Sequence, residues 1–210
     1  KDVHFMHHSF PGISVSDVTL STNLDEMTFS APFFINAMSG GSDWTGKLNQ
    51  KLGVVARETG LAIATGSISA GLKQPEFEQS YKIIRQENPN GLVFANLGAG
   101  HDSENAKRAI DMIQADALQI HINAPQEVVM PEGDRDFSNW IENIQDILEQ
   151  IDVPLIVKEV GFGMSRETVK LLQDIGVKHI DISGKGGTNF AQIENFRRRE
   201  YKLDDMEPWG

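Results

Sequence analysis

The residues best suited to chemistry lie in one stretch, from Gln119 to Phe137, where an apolar pattern gives way to polar side chains. Leu118, Ile120 and Ile122 alternate as in a buried strand. Four groups that can form hydrogen bonds or ligate a metal stand at the exit of this strand: His121, Asn123, Gln126 and Glu127. Because the loops after parallel strands face the ligand in α/β proteins, the stretch predicts a binding or catalytic site.

Two prolines of the same stretch, Pro125 and Pro131, predict a long polar loop after the strand, since proline interrupts regular elements. Glu127 could ligate magnesium in this loop, because that ion prefers oxygen ligands and keeps several of its waters. A solvated loop carboxylate is the alternative. Three further acids are interpreted as solvated loop charge: Glu132, Asp134 and Asp136.

Lys158 is a second candidate, because it lies in the run Pro154–Val160, which is apolar apart from Lys158 and Glu159. A free buried ammonium is costly, so it either holds an anionic atom of a cofactor or forms an internal ion pair with Asp181 or Glu159. Asn96 ends another apolar run, where its amide could serve the core or bind the rim of a planar heterocycle.

Two glycine-rich turns follow strand patterns, Ala37-Met-Ser-Gly-Gly41 and Ser183-Gly-Lys-Gly-Gly-Thr188. Either could let a flat or phosphate-bearing ligand approach backbone amides, and either could be an ordinary turn. The second is not a P-loop, because its lysine stands between the glycines. Ser67 and Ser183 are weak signals, since small hydroxyls commonly end strands.

The composition bounds the class of protein. A net charge of −11 in 210 residues argues against a nucleic-acid surface, which needs basic patches. The absence of cysteine excludes disulfides, thiolate metal sites and a cysteine nucleophile, and it suits a cytoplasmic enzyme. No apolar run approaches the ~20 residues that span a bilayer, so no membrane association is expected. The chain starts at Lys1 rather than Met, and we expect it to be part of a longer protein.

Six apolar runs, most of them followed by a helical pattern, organise the chain. The runs are Phe33–Met38, Leu61–Ser67, Leu92–Leu97, Leu118–Ile122, Pro154–Val160 and His179–Ser183. Apolar residues at helical spacing lie between them: Leu48, Leu52 and Val55; Ala106, Ile110 and Ile113; Ile141, Ile144, Leu148 and Ile151; Val169, Leu172 and Ile175. Asp102 or Ser103, and later Ser165, are predicted N-caps. Residues 1–31 alternate with period two, as in Val15–Leu20, and predict half-buried strands or an extended layer.

Alternating β and α units predict a parallel sheet with helices outside it, closed as an eight-stranded barrel or left open as a doubly wound sheet. All six runs end in polar or glycine-rich sequence, which favours the barrel because a barrel carries ligand groups at every strand end. We therefore predict a single domain over 1–210. It consists of an extended layer at 1–31 and the first six units of a TIM (β/α)8 barrel at 32–210.

Five segments of the chain occur in a specific order. They are Phe34-Ile-Asn-Ala-Met-Ser-Gly-Gly41, Gln119-Ile-His-Ile-Asn123 with Pro125-Gln-Glu127, Met130-Pro-Glu-Gly-Asp134, Lys158-Glu-Val-Gly-Phe-Gly-Met164 and Ser183-Gly-Lys-Gly-Gly-Thr-Asn-Phe190. As a set they resemble the type 2 isopentenyl-diphosphate isomerases, which are FMN-dependent enzymes of isoprenoid synthesis. That family also has an N-terminal Arg-Lys-x-Glu-His segment that grips the diphosphate, and phosphate turns after strands seven and eight. Neither lies within these 210 residues.

The resemblance implies roles for individual residues. FMN would be held by Ala37, Met38, Ser39, Ser67, Asn96, Lys158, Ser183 and Thr188. The substrate would be lined by Ser67, Ile68, Ser69, His121, Asn123 and Gln126. Glu127 matches the magnesium ligand. Gln126 is the candidate catalytic residue, and because it is neutral we assign it substrate positioning and relay of a proton rather than simple base catalysis.

The implied reaction is a 1,3-proton shift that interconverts isopentenyl and dimethylallyl diphosphate. Ordinary side chains are badly matched to it, since an unactivated alkene is a poor base and its allylic C–H a poor acid. The resemblance implies that reduced FMN exchanges the protons and that NADPH or NADH only keeps the flavin reduced. Mg2+ would anchor the diphosphate, and the protein would be a homo-oligomer, a tetramer or octamer.

Alternatives of other classes stay open. FMN-dependent oxidoreductases of the 2-hydroxy-acid oxidase type resemble the chain at the lysine strand, but they place a histidine base in a Ser-Asn-His-Gly-Gly turn. This chain has Ser183-Gly-Lys-Gly-Gly187 there. Type 1 isomerases are disfavoured because their chemistry uses a cysteine. A non-catalytic flavin-binding fragment is the third hypothesis. Six strands leave two sheet edges open, and open edges favour aggregation or binding of a partner.

Overall fold

A computed structural model describes residue 4 and residues 6–184, 188–199 and 202–203 of the chain. The strands there are β1 (Thr22–Leu24), β2 (Met27–Phe29), β3 (Ile63–Ala64), β4 (Val93–Gly98), β5 (Ala117–His121), β6 (Leu155–Lys158) and β7 (His179–Asp181). The helices are α1 (Asp43–Thr59), α2 (Ser69–Lys73), α3 (Gln79–Glu87), α4 (Ser103–Ile113), α5 (Ala124–Val129), α6 (Trp140–Gln150), α7 (Arg166–Asp174) and α8 (Phe190–Arg197). Across these described residues, no helix combines the length and apolar character needed to cross a bilayer.

Strands β3 to β7 form one parallel sheet in sequential order, and at least one helix joins each strand to the next. The predicted first strand at 33–38 is reduced to a parallel bridge between Ile35 and Ile63. There the Ile35 N–H donates to the Ala62 carbonyl at 3.0 Å. Parallel strands in chain order with helices between them are the arrangement of a TIM barrel, so the predicted fold class is confirmed for the part of the barrel present.

The two faces of the sheet bury different layers, because successive strand side chains point to opposite sides. Leu118 and Ile120 pack outward into the main core beneath the helices. Phe94 and Ala117 point inward, into a smaller apolar cluster that includes Met27 and other side chains near the start of the strands. The antiparallel hairpin of β1 and β2 thus helps to fill the amino-terminal end of the inner face with apolar side chains.

The predicted helix starts are confirmed at two caps. The Asp102 carboxylate accepts from the Asn105 N–H at 2.9 Å, and the Ser165 hydroxyl accepts from the Thr168 N–H at 3.2 Å. Predicted inward positions are fully buried at Ala106, Ile113, Ile144 and Leu172, and partly buried against the same core at Ile110, Leu148, Ile151 and Ile175.

The inward face predicted for α1 is only partly correct. Leu52 does pack against the core, but Val55 is 46% exposed. The buried face instead carries Asn49, Gly53 and Ala56. This face lies against α3 so closely that a Cβ on Gly53 would meet the Glu87 Cβ at 3.0 Å. Close helix approach selects a small residue here, which an apolar pattern does not reveal.

The extended layer predicted for 1–31 is also only partly correct. Its strands are the short β1 and β2, whereas Val15–Asp17 forms a 3-10 turn and Val15 is 90% exposed. A reciprocal cap decides the local structure, because the Ser14 N–H donates to the Asp17 carboxylate at 2.8 Å and the Ser14 hydroxyl accepts from the Ser16 N–H. The period-two pattern of Val15–Leu20 therefore does not reflect a strand.

Candidate functional site

Polar side chains form a layer at the carboxyl ends of the strands. The strand register aligns, from β4 to β7, Gly98, His121, Lys158 and Asp181. By strand alternation these positions lie on the inner face, and Asn96 and Gln119 form the layer directly below. The inner face therefore changes from apolar to polar towards the end at which barrels bind their ligands.

A cleft of about 490 Å³ opens at this end of the strands. It is lined by Ser67, Ser69, Lys73, Gly98, Ala99, Gly100, His101, His121, Asn123, Gln126, Glu127, Met130, Glu132, Asp134 and Trp140. Five of the six residues expected at the substrate and the expected magnesium ligand thus lie on one cavity. The exception is Ile68, which is fully buried in the main core. Only its neighbours Ser67 and Ser69 line the cleft.

The loop predicted after Pro125 begins instead with the helix α5. Pro125 occupies the first turn of α5, where its missing N–H and fixed φ are tolerated. The helix brings together side chains three and four residues apart. Asn123 donates from Nδ2 to Glu127 Oε1 at 2.8 Å and to Gln126 Oε1 at 3.3 Å. The three polar groups therefore form one hydrogen-bonded cluster rather than separate loop side chains.

Glu127 is held from two further sides. Its Oε2 accepts from the Asp134 N–H at 2.9 Å, and its carbonyl accepts from Arg135 at 2.6 Å. Arg135 also binds the Met130 carbonyl at 2.8 Å, so the chain after α5 folds back over the helix. Glu132 and Asp134, interpreted from the sequence as solvated, are exposed but line the cleft.

His121 is a neutral imidazole with an assigned tautomer. Asn96 donates from Nδ2 to the Thr65 carbonyl at 3.3 Å, so its Oδ1 faces His121 Nδ1 at 2.9 Å and accepts from it. Nε2 then carries the lone pair. Burial, with the Lys158 and His101 charges adding to it, lowers the pKa of His121 to about 3. His121 therefore acts as a hydrogen-bonding group at neutral pH.

Lys158 is buried without an ion pair. No carboxylate of the described residues lies within 4.0 Å of its ammonium. Glu159 is engaged elsewhere, because one oxygen accepts from the N–H groups of Gly161, Phe162 and Gly163 at 2.7, 2.6 and 3.0 Å. Burial lowers the pKa of Lys158, and the nearby Asp181 and Glu159 charges oppose that shift. The internal ion pair considered from the sequence is not formed.

The residues expected at the flavin are spread over several strand ends, and Ser67 alone among them lines the cleft. Asn96 and Lys158 are buried on the inner face. Ser39 is buried with its hydroxyl donated to Asn49, whereas Met38 is 63% exposed and Ala37 half-buried. Ser183, with φ +54°, and Thr188 are exposed. The middle of their turn, 185–187, lies outside the described residues.

Sequence reasoning missed three polar groups at this site. His101 and Lys73 line the cleft, and Glu194 of α8 accepts from Gln126 Nε2 at 3.4 Å. Glu194 is 6% exposed and also pairs with Arg197. The position of His101 just after β4 was a usable signal, since strand ends carry function in this fold. Glu194 offers none, because it lies 68 residues from Gln126 along the chain.

Solved structures with a similar fold are flavoproteins. A mandelate oxidase mutant with a monooxide FMN adduct aligns with TM-score 0.55 and 14% identity, over 80% of this chain and 51% of its own. Flavocytochrome b2 with bound sulfite aligns with TM-score 0.54 and 19% identity, over 78% of this chain and 44% of its own. At such identities the likeness establishes the fold, which is the barrel of these FMN enzymes. No family model matches the chain.

Much closer relatives define the family. Proteins named isopentenyl-diphosphate delta-isomerase are 50% identical over 209 residues in Staphylococcus saprophyticus and 52% identical over 208 residues in Staphylococcus haemolyticus. A Staphylococcus aureus relative of the same name is 51% identical. These matches cover 99–100% of this chain, which therefore belongs to the isopentenyl-diphosphate delta-isomerase family. The chain spans 60% of the length of these curated relatives.

Proposed function

We propose that the whole protein interconverts isopentenyl and dimethylallyl diphosphate by a 1,3-proton shift. The observation that carries the proposal is the cleft that gathers His121, Asn123, Gln126 and Glu127, in a chain about half identical to proteins of that name. The cavity volume of about 490 Å³ suits a small molecule.

Glu127 is the proposed anchor for Mg2+ and, through it, for the diphosphate. The described residues contain no group of three or more His, Cys, Asp or Glu that could form a complete protein cage for a metal. Magnesium is compatible with so few protein ligands, because it commonly takes one or two carboxylates and fills the rest of its coordination shell with water and substrate phosphate. Asn123 and the Asp134 N–H orient the carboxylate for that task.

The inner face fits a planar cofactor with hydrogen-bonding edges, as expected for FMN. Within the described part of the chain, the fully buried Gln119 has no partner for either Nε2 or Oε1, and the Lys158 ammonium meets no carboxylate. We propose that Asn96, Gln119 and Lys158 would contact the heterocycle, with Ala37, Met38, Ser39, Ser67, Ser183 and Thr188 as the further holding residues. Reduced FMN, maintained by NADPH or NADH, would supply the proton exchange that side chains cannot.

Gln126 would position the alkene and relay a proton. Its Nε2 donates to Glu194, and its Oε1 accepts from Asn123, so both ends of the amide are fixed. A fixed amide at the cleft orients a substrate without titrating. Replacing Gln126 with alanine should lower turnover far more than flavin affinity, and equal loss of both would contradict the assignment.

Turnover in D2O tests the reaction itself. The complete protein would be incubated anaerobically with isopentenyl diphosphate, FMN, Mg2+ and NADPH, and NMR would follow the methyl signals. Deuterated dimethylallyl diphosphate that requires reduced flavin is the expected product. Flavin-loaded protein that yields no product would refute the proposal.

A second candidate is an FMN oxidoreductase acting on 2-hydroxy acids, which the mandelate oxidase fold supports. Ser183-Gly-Lys-Gly-Gly187 contains no histidine, the base that such enzymes place in this turn. Anaerobic bleaching of the bound flavin by mandelate or lactate would favour this candidate, and isomerase turnover without bleaching would eliminate it.

We further propose that the protein is a homo-oligomer. The segment before β1 leaves apolar side chains exposed, among them Met6, Phe10 and Val15. A partner subunit would bury such side chains favourably. Light scattering on the complete protein measures the assembly, and a monomer at micromolar concentration would contradict it.

A further inference from the structure

A hydrogen-bonded chain of side chains lies along one wall of the cleft. Ser67 Oγ is 2.9 Å from Ser69 Oγ, and Ser69 Oγ is 2.6 Å from His101 Nε2. We call these three residues the serine–histidine relay. Lys73, the last residue of α2, lines the same cleft. Of these four residues, the sequence predicts only Ser67 and Ser69 as site residues. His101 and Lys73 have no role in the function proposed above.

We propose that the relay and Lys73 form a proton-coupled subsite for phosphate-group oxygens. The inference rests on the proposed function for the nature of its ligand, which is the diphosphate group of the substrate. Two hydroxyls, a protonable ring and an ammonium are the donors that such a group requires.

Protonation of His101 would fix the direction of the relay. In a neutral imidazole Nε2 is either donor or acceptor, so the relay can run either way. In the protonated ring Nε2–H must donate to Ser69, whose own hydrogen then points to Ser67 or to a ligand. Ser67 is exposed, so its hydroxyl hydrogen is left for the cleft. A proton on His101 therefore turns the relay into a row of donors for an anion.

The charges around His101 make this protonation depend on a ligand. Burial lowers the pKa of His101, Lys73 lowers it further, and Asp102 and Asp134 partly oppose them. The neighbouring His121 stays neutral and adds no charge at pH 7. An anion beside the ring would raise the pKa of His101, because opposite charge favours the charged form. Anion binding would then take up a proton and strengthen as the pH falls.

The backbone that carries the two serines is held in place. The Tyr81 hydroxyl donates to the Ser67 carbonyl at 2.7 Å. Burial raises the pKa of Tyr81 to about 12, so this donor keeps its proton over the whole working range. Gly71 lets α2 lie against the same ring, since a Cβ there would meet Tyr81 at 3.1 Å. The hydroxyls are thus presented from a rigid turn, as a preorganised subsite requires.

Histidine titration by NMR in the presence of Mg2+, with and without saturating inorganic pyrophosphate, tests the coupling on the full chain. Without ligand, His101 should titrate below the ordinary range of a histidine side chain, because burial lowers its pKa. Saturating pyrophosphate should raise the pKa of His101 by about one unit or more. Calorimetry in two buffers of different ionisation enthalpy should show net proton uptake near neutral pH. An unchanged His101 titration at saturation would overturn the proposal.

Variants separate the parts of the subsite. His101→Gln should abolish proton uptake and weaken pyrophosphate binding about tenfold, and Ser69→Ala should weaken it while lowering the uptake. Lys73→Ala should weaken binding about tenfold, whereas Lys170→Ala, which removes an exposed lysine of α7 paired with Asp174, should not. Equal binding by the two lysine variants would refute a role for Lys73. If His101→Gln fails to fold, Ser69→Ala and the wild-type titration decide.

These readouts need neither flavin nor turnover, so the two proposals fail separately. Isomerase turnover without pyrophosphate-linked protonation of His101 would refute only this inference. Proton-coupled pyrophosphate binding in a complete protein that never isomerises its substrate would refute only the proposed reaction.

Discussion

Replacing Gln119 with methionine is expected to raise the stability of the chain in the absence of a cofactor. Gln119 is fully buried, and neither polar atom of its side chain has a hydrogen-bond partner among the described residues. Methionine keeps the unbranched shape and removes both polar atoms. Strand register places the side chain between Asn96 and the apolar Ile156, so a thioether finds an apolar neighbour.

The size of the effect follows from the unpaired amide. A buried polar group without a partner costs about 1–3 kcal/mol, and methionine relieves that cost without a large change in volume. The free energy of unfolding should therefore rise by about 1–3 kcal/mol. For a chain of this length, each of these kilocalories corresponds to a rise in Tm of roughly 2–4 °C.

Urea denaturation of the cofactor-free chain measures the change, with Gln145→Met on the exposed face of α6 as the matched control. The control should move stability by no more than about 0.5 kcal/mol. The same Gln119 variant should bind FMN about tenfold more weakly, if the amide contacts the heterocycle as proposed. A loss of stability above about 1 kcal/mol would refute the reasoning, because it would mean that the amide is already satisfied, for example by water.

Three further perturbations test other parts of the structure. Asp102→Ala should cost about 1 kcal/mol in urea denaturation by uncapping α4, and an unchanged midpoint would contradict the cap. Glu159→Gln weakens the charge-assisted hydrogen bonds to the three backbone amides of 161–163, so the free energy of unfolding should fall by about 1.5–3 kcal/mol. An unchanged stability would be inconsistent with these hydrogen bonds. The pKa of His121 is lowered to about 3 in the folded chain, so the unfolded chain binds the extra proton and stability falls as the pH drops from about 6.5 towards 3. His121→Gln should flatten this slope by up to about 1.4 kcal/mol per pH unit, and equal slopes would refute the shift.

The barrel units could be predicted from the sequence because the patterns that indicate them are local. Strand runs such as Leu92–Leu97 and helix faces such as that of Ala106 and Ile113 depend only on side-chain period and burial. Asp102 caps its helix through a residue three positions away. Patterns that involve only neighbouring residues along the chain can be recognised in a single sequence.

Contacts between distant segments explain what the sequence did not reveal. Gly53 faces α3 because two helix backbones approach closely, and His101 reaches Ser69 across 32 residues. Glu194 reaches Gln126 across 68 residues. Pro125 misled for a different reason, since proline both ends helices and starts them, and only the following hydrogen bonds distinguish the two.

The two sides of the cleft differ in charge, which bears on how it could bind an anion. Glu127, Glu132 and Asp134 supply negative charge, and the chain as a whole carries −11. Lys73 and a protonated His101 would supply positive charge, but the acidic groups would still repel a diphosphate unless a cation neutralised Glu127. Magnesium and the proton on His101 would then act as separate contributions to one affinity. Pyrophosphate binding should accordingly need Mg2+ at every pH. In His101→Gln it should weaken about tenfold and lose its pH dependence but still need Mg2+, whereas a variant that lost both dependences together would show that the two groups do not act independently.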